Sequence, residues 1–111
     1  MDDFSIAMQQ WQEGERRVRD AAPDERLAMD RVVDSVVAEL RRRLGGPFQI
    51  DELVQLYGQG TGWCTDIAYN VAPGAPWAWD ARVTADAAFG RYVREATDYA
   101  GGRRLDVRPA D

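Results

Sequence analysis

Residues 23–47, PDERLAMDRVVDSVVAELRRRLGGP, decide the fold. Pro23 suits the first position of a helix, and Asp24 and Glu25 suit the positive end of its dipole. Three arginines occupy the last predicted turn, and two glycines then stop the helix. Between these ends the apolar side chains recur mostly with the period of an α-helix: Leu27, Met29, Val32, Val33, Val36, Val37, Leu40 and Leu44. The paired valines would also suit a strand, but a capped stripe of about twenty residues is too long for one.

Four further helices are predicted around this one by apolar spacing and by Pro and Gly punctuation. They run from about Phe4 to Ala22, from about Ile50 to Tyr57, from Trp63 to Val71, and from between Asp80 and Thr84 to about Ala100. No run has the sustained alternation of a half-buried strand. The sequence therefore predicts an all-α fold, a single compact bundle of about five helices.

The length of 111 residues is enough for one domain and not for two. Residues 1–104 are predicted to form this single helical domain. Residues 105–111, LDVRPAD, have too little apolar content to be ordered on their own. We therefore expect a short flexible tail at the C-terminus.

The basic residues exclude several kinds of catalysis. The chain has no histidine, and all 14 basic residues are arginine. Histidine general bases, histidine metal ligands, Schiff-base lysines and the phosphate-loop lysine are therefore excluded. We predict a protein that is not an enzyme, with no catalytic residue, no cofactor and no metal site.

Cys64 and the glycine-rich segment Gly58–Gly62, GQGTG, are two further catalytic or phosphate-binding candidates. A helix dipole at Cys64 would lower the pKa of the thiol, but a cysteine nucleophile needs a base. GQGTG follows a predicted helix rather than a strand and lacks a lysine. We interpret Cys64 as a small buried residue and GQGTG as a turn between helices.

The chain carries 19 acidic against 14 basic residues, a formal charge of −5. Its acidic start, MDDFSIAMQQ, does not fit a signal peptide, and no run reaches the roughly 18 apolar residues of a membrane span. A lone cysteine gives no sign of an oxidising compartment. We expect a cytoplasmic protein that does not bind membranes.

Residues 50–71 also suggest a helix-turn-helix unit. The usual turn has about three to four residues, whereas GQGTG has five. The second helix carries Asp66 and no arginine, so only Thr65 or Asn70 would read bases. Nucleic-acid binding through this degenerate unit is the alternative function, and it would suit a dimer.

The arginines cluster near three predicted helix ends: Arg16, Arg17 and Arg19; Arg41, Arg42 and Arg43; and Arg103 and Arg104. Cations near a helix C-terminus complement the dipole. Arginine also forms bidentate pairs with carboxylates and phosphates, which suits interfaces. The clusters at 41–43 and 103–104 are therefore predicted either to stabilise helix ends or to contact a partner.

Two tryptophans lie close together in the segment Pro73–Asp80. Their alternation in Pro76-Trp77-Ala78-Trp79 indicates that one faces the core and the other a different surface; alternatively, both close the end of the bundle. We predict Trp77 as the exposed ring, since Trp79 adjoins the fifth helix. Both are predicted partner-binding residues, because tryptophan is enriched in binding hot spots.

These observations favour a non-catalytic, cytoplasmic helical module that binds another protein, as an adaptor or regulator of a larger assembly. The alternative is the nucleic-acid-associated regulator described above. The valines of residues 32–37 cover a wide arc. Such an arc suits either a central helix packed on two sides or a helix that pairs with a second copy in a homodimer.

Overall fold

The computed structural model describes residues 3–44, 48–98 and 107–108, with side chains for residues 3–44 and 51–95. Its five α-helices are α1 (Asp3–Arg19), α2 (Pro23–Leu44), α3 (Ile50–Gly58), α4 (Gly62–Val71) and α5 (Arg82–Asp98). A 3₁₀ turn (Pro76–Trp79) lies between α4 and α5. The predicted all-α bundle of five helices is confirmed.

The secondary structure differs from the prediction at the end of α1 and in the segment before α5. Helix α1 ends at Arg19 rather than near Ala22, so that a three-residue connection leads into α2. The segment Pro73–Asp80, which lies between the predicted fourth and fifth helices, contains a 3₁₀ turn that begins at Pro76 after the extended residue Ala75. Proline suits the first position of this turn because its fixed φ is already helical. A backbone N–H at this position would have no partner within the turn, so that its absence from proline costs nothing.

A short pairing of two strands was not predicted. Strand β1 (Phe48–Gln49) pairs in parallel with β2 (Val107–Arg108), Phe48 opposite Val107 and Gln49 opposite Arg108. Two residues are too few for an alternating pattern to be recognised in a sequence. Of the predicted flexible tail, residues 105–111, only β2 belongs to the part of the chain that the structure describes.

The core is built on α2, which contributes four completely buried side chains: Val32, Val33, Val36 and Leu40. Helix α2 packs against α5 and α4. The valine pairs at positions 32–33 and 36–37 are therefore buried by contacts within a single chain. The wide apolar arc is that of a central helix packed on two sides, which is one of the two predicted arrangements.

The most extensive contact between two helices joins α1 to α5. Gly14 lies at its centre: a Cβ atom there would sit 2.5 Å from the Asp86 Cβ and 2.8 Å from the Ala87 backbone nitrogen. Gly90 faces α1 from the other side, and its Cβ would lie 3.2 Å from the Trp11 Cβ. The two backbones approach closely because these positions have no side chain.

Replacing Gly14 with alanine tests this close approach. Alanine improves helix propensity by up to about 1 kcal/mol. The clash with Asp86 and Ala87 costs about 1–3 kcal/mol in a packed interface. We expect Gly14→Ala to lower the free energy of unfolding in urea, followed by circular dichroism.

Gly62→Ala is the matched control. Gly62 is the first residue of α4, and no atom lies within 4 Å of the position its Cβ would take. The Gly62→Ala substitution should therefore leave the free energy of unfolding unchanged or raise it slightly. A Gly14→Ala protein as stable as the wild type would contradict the contact.

Candidate functional site

The two tryptophans of the 3₁₀ turn are not placed as predicted. Trp79 is the exposed ring, with 74% of its surface accessible, whereas Trp77 is partly buried and packs against the core. The prediction of Trp77 as the exposed ring is wrong. It assumed alternation with a period of two, whereas a 3₁₀ turn has three residues per turn and places Pro76 and Trp79 on one side. Ala78 faces the core and is buried.

Trp79 rests against a second exposed aromatic ring, that of Tyr69 on α4. The ring centroids are 5.1 Å apart with an interplanar angle of 56°, and Tyr69 is 45% exposed. We call these two side chains the aromatic patch. The sequence separates them by ten positions, and they meet because the chain reverses between α4 and the 3₁₀ turn.

Two exposed carboxylates border the aromatic patch along the chain. Asp66 lies three residues before Tyr69 on α4, a spacing that places both on one side of a helix. Asp80 directly follows Trp79. Neither carboxylate forms an ion pair within residues 3–44 and 51–95. The apolar surface of the aromatic patch is therefore flanked by the negative charges of Asp66 and Asp80.

The arginines at the end of α2 contact carboxylates of the same chain. Arg41 Nη2 lies 2.6 Å from Glu95 Oε2 on α5. Arg42 and Arg43 both pair with Glu39, and hydrogen bonding from Arg42 lowers the pKa of this carboxyl. These contacts stabilise the helix end; binding of a partner by these three residues stays a prediction.

Arg43 also lies over an aromatic ring of α4. Its guanidinium carbon is 4.4 Å from the centroid of the Trp63 ring. Such cation–π contacts contribute about 0.5–1 kcal/mol at exposed sites.

The predicted partner-binding residues Arg103 and Arg104 lie outside the described residues.

Cys64 is completely buried, which confirms its interpretation as a small core residue. Burial raises the pKa of the thiol to about 12. This is the opposite of the lowered pKa that a helix N-terminus gives to a reactive cysteine. The side chain therefore remains a neutral thiol at physiological pH.

Gly58 ends α3 and Gly62 begins α4, so that the predicted turn consists of Gln59, Gly60 and Thr61. Its three residues, rather than the five of GQGTG, are within the usual length of a helix-turn-helix connection. Gly60 has a φ of +114° that favours glycine. Helix α4 buries Cys64 and Ala68. Its exposed positions include Asp66, Tyr69 and Asn70. A helix that presents a carboxylate and no arginine is poorly suited to a phosphate backbone.

A hydrogen-bonded network around Tyr57 was missed by sequence reasoning. The Tyr57 hydroxyl donates to Asp86 Oδ1 at 2.6 Å, and Arg82 Nη2 donates to the Tyr57 oxygen at 3.1 Å. Gln10 Oε1 of α1 lies 3.0 Å from the same hydroxyl. The network joins α1, α3 and α5.

Burial raises the pKa of both acidic groups of this network, Tyr57 and Asp86. It raises the pKa of Tyr57 to about 12 and raises the pKa of Asp86 above its usual value, although hydrogen bonds from Tyr57 and Arg82 act on Asp86 in the opposite direction. Asp86 lies in the second turn of α5. Only its i,i+4 spacing from Arg82 is visible in the sequence.

A groove of about 620 Å³ between α1 and α3 adjoins this network, lined in part by Gln10, Tyr57, Ile6 and Val54.

Within the described part of the chain, no group of three or more Cys, Asp and Glu side chains is arranged to hold a metal ion. None of the described helices has the length and apolar character that crossing a membrane requires.

No family model matches the chain, and no similarity to a curated protein or to a solved structure was found.

Tyr57→Phe tests whether the network stabilises the fold. The substitution leaves the partly buried Asp86 carboxylate without its phenolic donor, which costs about 1–3 kcal/mol. We expect a corresponding loss in the free energy of unfolding. Tyr69→Phe is the control, because the Tyr69 hydroxyl makes no hydrogen bond to a described residue. Equal stability of the Tyr57→Phe protein and the wild type would contradict this role.

The state of Cys64 is testable by alkylation. Because the thiol is buried and its pKa is raised to about 12, iodoacetamide at pH 8 should not modify the folded protein. Mass spectrometry should detect complete modification after unfolding in urea. Rapid alkylation of the folded protein would overturn the assignment of Cys64 to the core.

Proposed function

We propose that this chain is a non-catalytic module of the cytoplasm that binds another protein through the aromatic patch, as an adaptor or regulator. One observation carries the proposal: Trp79 is 74% exposed and is held against the exposed Tyr69 ring. Tryptophan and tyrosine are the side chains most enriched in binding hot spots, together with arginine. A tryptophan ring left in water has a large apolar surface still to bury.

The two rings are partly preorganised for binding. Tyr69 lies on the regular helix α4, and Trp79 lies on a 3₁₀ turn that packs against α4. Each ring also limits the rotation of the other through their contact at 5.1 Å. Side chains that are already ordered lose less conformational entropy when a partner binds, so that more of the contact energy contributes to affinity.

The charge around the patch favours a basic partner. Asp66 and Asp80 are exposed and without ion pairs to described residues, and the whole chain carries a formal charge of −5. Complementary charge steers association and disfavours acidic partners. An arginine or lysine stacked on the Trp79 ring would add a cation–π contact. The partner surface that fits is basic, with an apolar side chain beside an arginine or lysine.

The chemistry of the chain supports a role without catalysis. Histidine and lysine do not occur in the sequence, and the single cysteine is a buried, neutral thiol. Nucleic-acid binding, the alternative prediction, receives no specific support from the exposed face of α4.

Affinity capture from the native host tests the proposal. Wild type, Trp79→Ala and Leu27→Ala are compared at two salt concentrations; Leu27 is a large apolar side chain that is 60% exposed on α2. The partner is identified by mass spectrometry, and its affinity for each purified variant is then measured. We expect Trp79→Ala to weaken binding by about tenfold or more, and Leu27→Ala to have no effect.

Two further arms separate this proposal from its rivals. Asp80→Arg should also weaken binding, because it places a positive charge against a basic partner. Light scattering tests self-association: a wild-type dimer that becomes monomeric in Trp79→Ala would mean that the patch binds a second copy, which overturns the proposal. Equal binding of the partner by Trp79→Ala and wild type would overturn it as well.

A further inference from the structure

A second candidate site lies among α1, α2 and α5, on elements that carry no residue of the aromatic patch. It is a cavity of about 240 Å³. Four of its lining side chains are arginines and two are carboxylates, and the full lining is Glu15, Val18, Arg19, Arg26, Asp30, Ala87, Arg91 and Arg94.

The two arginines from α5 are held in position by carboxylates. Arg91 Nη1 lies 2.5 Å from Asp34 Oδ1, and its Nη2 lies 3.7 Å from Asp30 Oδ1. Arg94 pairs with Glu15, whose side chain is mostly covered. A guanidinium has five N–H donors, so that the two carboxylate contacts of Arg91 leave others for a ligand. Such pairs fix the orientation of a binding arginine in advance.

The other two arginines are much less engaged. Arg26 Nη1 makes a long hydrogen bond of 3.4 Å to the backbone oxygen of Arg19, and Arg26 forms no ion pair with a described residue. Arg19 has a single long contact, 3.8 Å, to its neighbour Asp20, and both side chains are largely exposed. Two arginines from the junction of α1 and α2 thus have donors available at the cavity.

The lining of this cavity is richer in arginines than in carboxylates. It has four arginines against two carboxylates, a formal charge of +2, and two more carboxylates, Asp34 and Asp20, contact Arg91 and Arg19 from outside the lining. Arginine recognises carboxylates and phosphates through planar, paired hydrogen bonds. Arginines from three helices thus line one cavity, and their chemistry favours an anionic ligand.

The size of the cavity limits the ligand. Pockets that enclose whole drug-sized molecules measure about 300–1,000 Å³, and 240 Å³ is smaller. We propose that this pocket binds the phosphate group of a small phosphorylated metabolite, with the rest of that molecule outside the cavity. The inference is independent of the proposed protein-binding function, because the two surfaces share no residue.

Calorimetric titration of the full chain with inorganic phosphate, at constant ionic strength, tests the pocket. We expect saturable binding to one site in the wild type, and Arg26→Gln to weaken it by about tenfold or more. Arg26 has no carboxylate partner among the described residues, so that its loss should not unfold the protein. Arg42→Gln is the control: it also removes one exposed arginine of α2, but one that pairs with Glu39.

A single-stranded DNA oligonucleotide is titrated in parallel. Tight, strongly salt-dependent binding of the oligonucleotide without saturable phosphate binding would mean that the arginines form a nucleic-acid surface, which overturns the proposal. Absence of saturable phosphate binding by the wild type would also overturn it. So would equal weakening by Arg26→Gln and Arg42→Gln, because the effect would then follow net charge and not the pocket.

Discussion

The close approach of α1 and α5 at Gly14 is the constraint on which the rest of the structure depends. It brings Trp11 of α1 onto Phe89 of α5, with ring centroids 5.5 Å apart and an interplanar angle of 29°. Tyr57 then packs edge-on against both rings. A side chain at Gly14 would separate the helices and open this cluster.

The cluster buries one polar atom without a partner. Trp11 Nε1 makes no hydrogen bond to any residue that the structure describes, although the side chain is fully buried. Burial of a tryptophan ring contributes about 4–6 kcal/mol at 25 cal/mol per Å² of apolar surface. An unsatisfied donor costs about 1–3 kcal/mol. The apolar contribution is the larger, so that Trp11 is a net source of stability.

The sequence predicted those features that depend on local spacing. Helix α2 was predicted with its observed bounds, because its proline, acidic first turn, apolar stripe and terminal glycines all lie within 24 residues. Features that depend on distant contacts were missed. Tyr57 and Asp86 are 29 positions apart, and the close contact of Gly14 with α5 is tertiary, so that local spacing shows neither.

The candidate sites show the same division. Sequence reasoning found the two tryptophans and the arginine-rich helix ends, but it exchanged the roles of Trp77 and Trp79 because a 3₁₀ turn does not alternate as a strand does. The cavity among α1, α2 and α5 combines arginines whose sequence positions differ by up to 75, which no local motif reveals.

Native-state hydrogen exchange tests the central claim most directly, because it measures the free energy of opening at each amide. If the α1–α5 contact holds the fold together, the amides of residues 11–14 and 87–90 exchange only through global unfolding, with the free energy obtained from denaturation. The amides of the 3₁₀ turn should exchange through smaller openings. Exchange of residues 87–90 at a lower free energy than the buried stretch of α2, residues 32–37, would contradict the account.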